Sequence, residues 1–258
     1  MKNSRDVIRK RRNEIIRALQ GNGKMQISIL ADRLAVTTAT IRRDLTEMER
    51  DGIVVRSFGS VELKIAGDMK EIEPTNIEDE KEMVRRRIAK AAADLVEDGD
   101  VLFLNSSGTA SLVLEYLEGK NVTTLTNNAR VINRKLLKNG TILLVGGEIY
   151  GKKQSLIGQF ALDTISKVVA SKCILGVSGV SAESGLTSVI LPETQVNMCM
   201  LEHCKGEKIV VADGSKVGIV QNFNTGSLEN ITYLITDSSA DPASLRAIEE
   251  MGVKVIVA

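Results

Sequence analysis

The most constraining feature of this sequence is a series of short apolar runs that recur along residues 101–257. Segments with helical periodicity, roughly ten residues long, separate most of them. Short uninterrupted apolar runs are typical of strands buried on both faces, and their alternation with helices predicts a mostly parallel, covered sheet. We therefore predict an α/β domain whose strands are VLFL (101–104), VTTLT (122–126), TILLV (141–145), CILGV (173–177), KIVVA (208–212), YLIT (233–236) and VKVIV (253–257).

The residues that precede this domain follow a different pattern. Three short helical patterns fill the first part of the chain, and Thr37 is placed to cap the third. After it, IVVRSFGSVEL alternates like two short strands joined by a turn. Helix, helix, turn, helix, hairpin is the order of a winged helix-turn-helix. We predict this domain over residues 1–63, a polar linker over 64–76 (KIAGDMKEIEPTN), and the α/β domain over 77–258, which begins with a long helix.

Charge is distributed unevenly between the two predicted domains. Residues 1–64 hold 14 basic and 8 acidic side chains, a net charge of +6, whereas the remainder holds 20 basic and 25 acidic, a net charge of −5. A basic head suits an anionic partner such as nucleic acid. No apolar run is long enough to span a membrane, and none follows the basic N-terminus as in a signal peptide. With three cysteines, no CxxC pair and a single histidine, we expect a cytoplasmic protein with reduced thiols, no metal site and no cofactor.

The third helix carries two adjacent arginines, Arg42 and Arg43. At 100° per residue, Ile41, Leu45 and Met48 fall on one face, which we predict to be buried. The opposite face carries small residues together with the arginines. Small side chains permit close approach to the major groove, where arginine bonds guanine or clamps a phosphate. An ordinary solvated face is the alternative interpretation. The position of the helix in the domain and the basic charge of the head favour DNA.

The stretch VTTATIRRDLTEMERDGIVVRSFGS resembles the helix-turn-helix signature of the DeoR family of transcriptional regulators. That signature reads approximately Val-Ser-x-x-Thr-Ile-Arg-Arg-Asp-Leu, followed by Leu-x-x-x-Gly and Arg-x-His-Gly-Gly. Thr37 stands for the family serine, whereas Phe58 and Ser60 depart from the wing motif, which affects the wing contacts most. The resemblance implies contact with a double-stranded DNA operator, and the residues that we expect to make it are Thr37, Thr38, Ala39, Thr40, Arg42, Arg43, Thr46 and Arg56.

The larger domain has polar turns where a small anion could bind. The predicted strand 101–104 runs into NSSGTAS, which precedes a helix. Such a turn offers backbone N–H groups and hydroxyls to an anion, although many such turns serve only to cap the helix. It lacks the glycine and lysine spacing of a P-loop. Further polar groups follow other predicted strands, and ligands of open α/β sheets bind beyond the carboxyl ends of the strands.

The DeoR resemblance extends across this domain, in the turn at 105–110, the Thr126-Asn127 pair, the Val-Gly-Gly stretch and the Asp-Gly-Ser-Lys turn. It implies a fold similar to the ribose-5-phosphate isomerase and CoA-transferase group, and an effector that is a phosphorylated sugar or related metabolite. Asn105 replaces an acidic family residue, and Ser171-Lys172 replaces a common Ala-Asp pair, so either change could alter the effector. The expected effector-binding residues are Asn105, Ser106, Ser107, Gly108, Thr109, Ala110, Asn127, Gly147, Glu148, Lys152, Asp213 and Lys216.

Two classes of function compete for this sequence. The first is a regulator whose operator binding responds to the effector, probing DNA as a homodimer or homotetramer because symmetric operators match symmetric proteins. The second is a sugar-phosphate isomerase, with Glu148 or Asp213 as the base and Lys216 as the polarising cation. An amide at Asn105 cannot act as a base, and His203 has the context of a surface or core histidine. We therefore expect a regulator, in most cases of this family a repressor of sugar metabolism, and not an enzyme.

Overall fold

The computed structural model describes residues 11–16, 18–19, 24–50, 53–57, 59–63, 77–133, 138–151 and 153–258. Contacts between Cα atoms divide the chain into two compact units, Met1–Glu73 and Pro74–Ala258. The linker predicted over 64–76 lies outside the described residues, so its bounds stay a prediction.

The N-terminal unit is a winged helix-turn-helix, as the order of its sequence patterns predicts. Helical residues 11–16 and 18–19 form α1. The strands β1, β2 and β3 form one antiparallel sheet in the order β1-β3-β2. The strand β1 was not expected from the sequence because it is only two residues long. The bounds are β1 Met25–Gln26, α2 Ile27–Arg33, α3 Thr38–Arg50, β2 Val54–Ser57 and β3 Ser60–Leu63.

A single apolar core holds this unit together. Ile41, Leu45 and Met48 of α3 are fully buried, as their helical angles predict, and they pack with residues of α1, α2 and the sheet. Asp44 also faces inward and is only 3% exposed. Its carboxylate accepts hydrogen bonds from Arg11 at 2.5 and 3.2 Å, which ties α1 to α3 through a charge-assisted pair.

A seven-stranded parallel sheet organises the larger unit. Its order is β15-β14-β12-β9-β4-β5-β6, and every neighbouring pair is parallel. All seven predicted apolar runs form strands of this sheet, so the predicted α/β class is confirmed. The strands are β4 Val101–Leu104, β5 Thr123–Thr126, β6 Thr141–Leu144, β9 Ala170–Gly176, β12 Cys204–Val211, β14 Tyr233–Thr236 and β15 Lys254–Val257.

Helices and two smaller sheets complete the unit. The strands β7 and β8 form a hairpin, and β10, β11 and β13 form an antiparallel sheet that the sequence patterns did not predict. The helices are α4 Ile77–Asp94, α5 Gly108–Leu112, α6 Gln159–Ile165, α7 Leu191–His203 and α8 Pro242–Glu250. The short strands are β7 Glu148–Tyr150, β8 Ser155–Ile157, β10 Gly179–Ser181, β11 Gly185–Ser188 and β13 Phe223–Gly226; 3-10 turns occupy Val113–Tyr116, Ala129–Asn133 and Gly214–Lys216.

Alternate residues of the central strands pack on opposite faces of the parallel sheet. Leu102 and Leu104 of β4 join a core formed with α4 and α5. Phe103, between them, joins the core that α6 and α7 cover on the other face. This two-sided burial explains why the strands are continuous apolar runs. Among the described residues, no helix is both long and apolar enough to cross a membrane.

The strand order reverses direction between β4 and β9. From β4 the chain adds β5 and β6 on one side, and it then returns to add β9, β12, β14 and β15 on the other. Two successive crossovers diverge at such a switch point and leave a crevice beyond the carboxyl ends of the strands. The turn at 105–110 follows β4 directly, so the topology places it at this crevice.

An ion-paired cluster closes the opposite, amino-terminal end of the same strands. Lys172 is 7% exposed, and its Nζ lies 2.7 Å from Asp100 Oδ2. Ser171 donates a hydrogen bond to Asp100 Oδ1 at 2.7 Å. The expectation that Ser171 and Lys172 influence effector choice is therefore wrong as regards direct contact, because they lie at the start of β9 and the crevice lies beyond its end.

The cluster predicts a specific dependence of stability on pH. Burial by itself raises the pKa of Asp100, but hydrogen bonds from Lys172, Glu97 N–H and Ser171, together with the Lys172 charge, hold it below its ordinary value. A carboxyl group whose pKa is lowered by folding stabilises the fold above its unfolded pKa and loses that contribution as pH falls through its folded pKa.

We expect Asp100→Asn to lower the free energy of unfolding at neutral pH by about 2–4 kcal/mol, because it leaves Lys172 buried without its nearest carboxylate. Because Glu97 and Glu207 each lie 3.9 Å from Lys172 Nζ and still offset its charge, we expect a loss of stability near the lower end of this range. Urea unfolding between neutral and acidic pH is the measurement, and the difference from wild type should shrink as pH falls. Asp94→Asn, an exposed change on α4, is the control; equal losses in the two variants would contradict the assignment.

Candidate functional site

The side chain of Asn105 joins the two strands at the switch point. Its Nδ2 donates to Gly176 O at 2.8 Å and to Asn197 Oδ1 at 3.1 Å, and its Oδ1 accepts from Gly176 N at 3.0 Å. Asn105 is 3% exposed, so these bonds form away from bulk water. An amide can donate and accept at once, which a carboxylate at this position cannot do. The groups around Asn105, one N–H donor and two acceptor oxygens, therefore suit an amide in place of the acidic family residue.

The turn that follows packs closely against the end of β9. Ser107 caps α5, with its Oγ accepting from Ala110 N at 3.5 Å. A Cβ added to Gly176 would lie 1.8 Å from Ser107 Oγ and 2.3 Å from Ser107 Cβ. Glycine at 176 therefore provides the space that this turn occupies.

A cleft of about 560 Å³ opens above this turn. Its walls come from α4, the turn after β4, the end of β9, β11, α7, β13 and the turn after β12. Five of the residues predicted from the turn line it, and so does Lys216. The lining residues are Glu82, Arg85, Asn105, Ser106, Ser107, Gly108, Thr109, Ser111, Leu112, Asn128, Arg130, Lys153, Gly176, Val177, Ser178, Thr187, Ser188, Glu193, Asn197, Lys216 and Thr225.

Basic side chains outnumber acidic ones in this lining, with Arg85, Arg130, Lys153 and Lys216 against Glu82 and Glu193. Arg85 forms no ion pair with any described residue. Lys216 Nζ lies 3.2 Å from Asp213 Oδ2. The positive excess makes the cleft suited to an anionic ligand.

The charges near Lys216 act on one another. Burial alone raises the pKa of Asp213, but a hydrogen bond from Ser215 and the charges of Lys216 and Arg85 lower it below its ordinary value. Arg85, on α4, and Lys216, in the turn after β12, are far apart in sequence, yet both act on the carboxylate of Asp213.

A chain of hydroxyl groups connects the turn to α7. Ser155 Oγ lies 2.6 Å from Glu193 Oε1 and 2.8 Å from Ser106 Oγ. A carboxylate only accepts, so the single hydroxyl proton of Ser155 goes to Glu193 and Ser106 must donate to Ser155. Lys153 Nζ, 3.4 Å from Glu193 Oε2, adds an ion pair on the other oxygen.

Several residues predicted to bind the effector do not line the cleft. Ala110, in α5, is fully buried in the apolar core that this helix shares with α4. Asn127 is also fully buried and donates to Leu156 O at 3.2 Å, so it joins β5 to β8, and its neighbour Asn128 reaches the cleft instead. Asp213 does not line the cleft, but its carboxylate forms an ion pair with Lys216. These three positions correct the prediction, since their side chains serve packing or positioning.

The hairpin residues also differ from the prediction. Gly147 has a positive φ of 105°, and an added Cβ would lie 2.4 Å from Ile157 O, so this glycine permits a close backbone approach. Glu148 begins β7 and is exposed outside the cleft. Of the two bases proposed for an isomerase, Glu148 thus lies outside the cleft that Lys216 lines, whereas Asp213 is ion-paired with Lys216. Lys152 lies outside the described residues, and Lys153 lines the cleft beside it in sequence.

The cleft also contains residues that the sequence patterns did not indicate. Arg85 and Glu82 project from α4, whose sequence reads as an ordinary charged amphipathic helix. Glu193 and Asn197 lie one helical turn apart on α7, which places both on one face. The spacing shows only that the two side chains share a face of α7, and it does not indicate that this face meets a cleft. His203 ends α7 and donates from Nδ1 to Cys199 O at 2.9 Å, consistent with a structural role.

The second candidate site is the outer face of α3. Thr37 Oγ1 accepts from Thr40 N at 3.2 Å, so it caps the helix as predicted. The predicted contact residues on the first half of α3 are exposed, apart from the half-buried Thr40. Arg42 and Arg43 are exposed and pair with no acidic group among the described residues. Thr46 is also exposed, and it donates to Arg42 O at 2.8 Å.

Arg56, in strand β2 of the wing, has partners within the unit. Its Nε donates to Glu49 Oε2 at 2.7 Å, and its Nη1 donates to Thr46 Oγ1 at 3.4 Å. The hydrogen bond from Arg56 holds the pKa of Glu49 below its ordinary value. Arg56 therefore braces α3 against the wing, which makes it a weaker candidate for DNA contact than the arginine pair. Phe58 lies outside the described residues.

Two protein-family models match the chain over these same regions. The DeoR-like helix-turn-helix domain matches residues 11–64, and the DeoR C terminal sensor domain matches residues 80–238. The chain belongs to the DeoR family. The resemblance carried by the α3 stretch is thereby confirmed.

The relatives of this DeoR-family protein match it over nearly their full length. It is 31% identical to the HTH-type transcriptional regulator GlpR of Haloferax volcanii, over 95% of this chain and 96% of that protein. It is 28% identical to the glycerol-3-phosphate regulon repressor of Escherichia coli, over 95% of this chain and 97% of that protein. The lactose phosphotransferase system repressor of Streptococcus mutans is also 28% identical, over 90% of this chain and 92% of that protein.

Similar solved structures are more distant. Ribose 5-phosphate isomerase A from Methanocaldococcus jannaschii matches with a TM-score of 0.38 at 16% identity, covering 53% of this chain and 54% of that chain. The sorbitol operon regulator SorC from Klebsiella pneumoniae matches with a TM-score of 0.39 at 13% identity, covering 81% and 89%. The relatives named above are, by their names, transcriptional regulators or repressors.

The packing of the turn against β9 gives a testable expectation. Gly176→Ala should lower the free energy of unfolding by about 1–3 kcal/mol, because the new methyl group displaces Ser107. The matched control is Gly108→Ala in the same turn, where an added Cβ meets nothing within 4 Å and φ is not positive. Its effect should stay within about 0.5 kcal/mol. Chemical denaturation of both variants is the measurement. Equal free energies of unfolding would show that the turn can move away from the new methyl group without loss of stability.

Proposed function

We propose that the protein is a sequence-specific DNA-binding transcriptional repressor of a sugar-metabolism operon, and that a phosphorylated sugar or related metabolite in the cleft modulates operator binding. The observation that carries the proposal is the pairing of two sites in one DeoR-family chain. One is Arg42 and Arg43 on α3, which are exposed and form no ion pair with any described residue, and the other is the basic, hydroxyl-lined cleft at the switch point. Two relatives support the same conclusion, since one is named a lactose phosphotransferase system repressor and the other a glycerol-3-phosphate regulon repressor.

On the DNA side, α3 would enter the major groove with its N-terminal half leading. Thr38 and Ala39 are small and exposed, which permits close approach of the helix. Arg43 points away from the buried face most directly, so we assign it to a base, and Arg42 on the flank to a base or a phosphate. A homodimer or homotetramer would present two such helices to a symmetric operator.

The DNA assignment predicts the effect of removing each arginine. Arg43→Ala and Arg42→Ala should each weaken binding by about 1–3 kcal/mol if the residue reads a base, whereas loss of a phosphate contact should mainly reduce the salt dependence by about one ion. The probe is the tightest duplex recovered from a random DNA library by in vitro selection, and the measurement is fluorescence anisotropy at several salt concentrations. Arg50→Ala, in the last turn of α3, is the control for charge alone.

Near-wild-type binding by both variants would contradict the placement of α3 in the groove. Equal weakening by Arg50→Ala would instead indicate that only the overall charge matters.

On the effector side, the phosphate would lie against the cationic part of the cleft. Lys216 supplies an ammonium group, and Arg85 supplies a guanidinium that forms no ion pair within the part of the chain that the structure describes. The hydroxyls of Ser107 and Thr109 lie in the same lining. Hydrogen bonds between ionised groups are stronger than neutral ones, so this part of the cleft would anchor the ligand.

Arg85 also suggests how the two sites communicate. It lies on α4, the first helix after the predicted linker, and Glu82 of the same helix lines the cleft. A ligand that binds Arg85 favours one arrangement of α4 over another. Regulation requires that the effector bind the DNA-competent and DNA-incompetent states with different affinity, and DNA must then change effector affinity by the same factor.

The effector assignment predicts that Lys216→Ala and Arg85→Ala weaken binding of sugar phosphates by roughly 10- to 100-fold, the loss expected for one hydrogen bond between charged groups. Operator binding without effector should be unchanged. Isothermal calorimetry with the tightest binder from a panel of three- to six-carbon sugar phosphates is the measurement. Lys167→Ala, an exposed lysine outside the cleft, is the control. Unchanged affinity in both cleft variants would place the effector elsewhere.

A further inference from the structure

One wall of the cleft is built from three buried polar side chains, none of which is a cation that would attract an anion. Glu193 and Asn197 project from α7, and Thr225 projects from β13. They are 7%, 5% and 1% exposed, respectively. Buried polar groups ordinarily have their hydrogen bonds satisfied, so any open valence among them indicates a missing partner.

The hydrogen bonds of these three residues are incomplete within the described part of the chain. Asn197 Oδ1 accepts from Asn105, but Asn197 Nδ2 has no partner there. Thr225 Oγ1 is buried and makes no hydrogen bond. Glu193 Oε2 has only the long 3.4 Å contact with Lys153. One wall of the cleft therefore contains a donor without a partner in Asn197, a hydroxyl without a partner in Thr225, and a weakly bonded acceptor in Glu193.

Ser106 adds a second acceptor to this set. Because its proton is committed to Ser155 by the chain that ends at Glu193, Ser106 Oγ has only lone pairs left to offer a ligand. The dianion of a phosphate monoester has no proton to donate to such an oxygen, and the carboxylate of Glu193 would repel it. A sugar hydroxyl both donates and accepts, which matches the mixture of open valences.

We infer that Glu193, Asn197 and Thr225 form a hydroxyl-reading subsite that selects the sugar portion of the ligand, separate from the phosphate anchor at Arg85 and Lys216. The inference rests on the proposed function for the phosphate end alone. A wall built to bond hydroxyls rejects an analogue that lacks them, because the buried polar groups are then left unpaired. The chemical class of ligand is a polyhydroxylated chain or ring bearing one phosphate.

The test compares inorganic phosphate with the tightest sugar phosphate from the three- to six-carbon panel and with its unphosphorylated parent sugar, by calorimetry on the full chain. Thr225→Val and Asn197→Leu should weaken the sugar phosphate at least tenfold more than they weaken inorganic phosphate. Thr225→Ser, which keeps the hydroxyl, should keep most of the preference for the sugar phosphate over inorganic phosphate. The matched control is Thr124→Val, since Thr124 is likewise buried with an unpartnered Oγ1 but lies outside the cleft.

Each outcome separates this inference from the proposed function. If Lys216→Ala weakens the sugar phosphate but Thr225→Val and Asn197→Leu leave its selectivity unchanged, the subsite is refuted and the phosphate-sensing function stands. If the sugar phosphate binds no more tightly than its parent sugar, and Lys216→Ala leaves its affinity unchanged while Thr225→Val and Asn197→Leu weaken it, the subsite stands and the phosphorylated effector is refuted. If neither phosphate, sugar phosphate nor sugar binds the wild-type chain, both are overturned. Thermal unfolding of every variant confirms that it is folded.

Discussion

The amide of Asn105 is the interaction on which the architecture of the cleft depends. It bonds both the N–H and the carbonyl of Gly176, so it fixes the ends of β4 and β9 where their crossovers diverge. With those ends fixed, the turn after β4 rises over a position that only glycine can occupy, and α7 is held by the bond to Asn197. Two strands, one turn and one helix thus share a single buried amide.

Much of the fold could be predicted from the sequence because its signals are local. Each strand of the parallel sheet is a continuous apolar run, and the buried face of α3 follows from helical angles alone. The turn residues Ser106 to Thr109 could be placed because they follow a strand directly. The order of parallel strands is not local, since it depends on how the crossovers pack. The contributions of α4, α7 and β13 to the cleft therefore could not be assigned in advance.

The errors in the predicted site share a physical cause. Asn127, Gly147 and Asp213 carry residue types that suit ligand binding, and the same chemistry suits buried connections between backbone segments. Residue type cannot distinguish these uses, whereas burial and partners can. The converse holds for Asp44, a charged residue in the middle of the recognition motif. Its pairing with Arg11 makes it part of the framework that presents Arg42 and Arg43, although these two residues, which precede it in sequence, face outward.

The cleft divides its tasks among separate elements of the chain. The cations that would hold a phosphate come from α4 and the turn after β12, whereas the polar groups opposite come from α7 and β13. Substitutions at Glu193 or Thr225 can therefore accumulate without changing Arg85, Lys216 or the exposed face of α3. A duplicated gene of this kind could alter the polar wall of the cleft through a few changes on one helix and one strand. The cationic wall and the arginine pair of α3 would be inherited unchanged, so the surfaces of the protein can diverge at different rates.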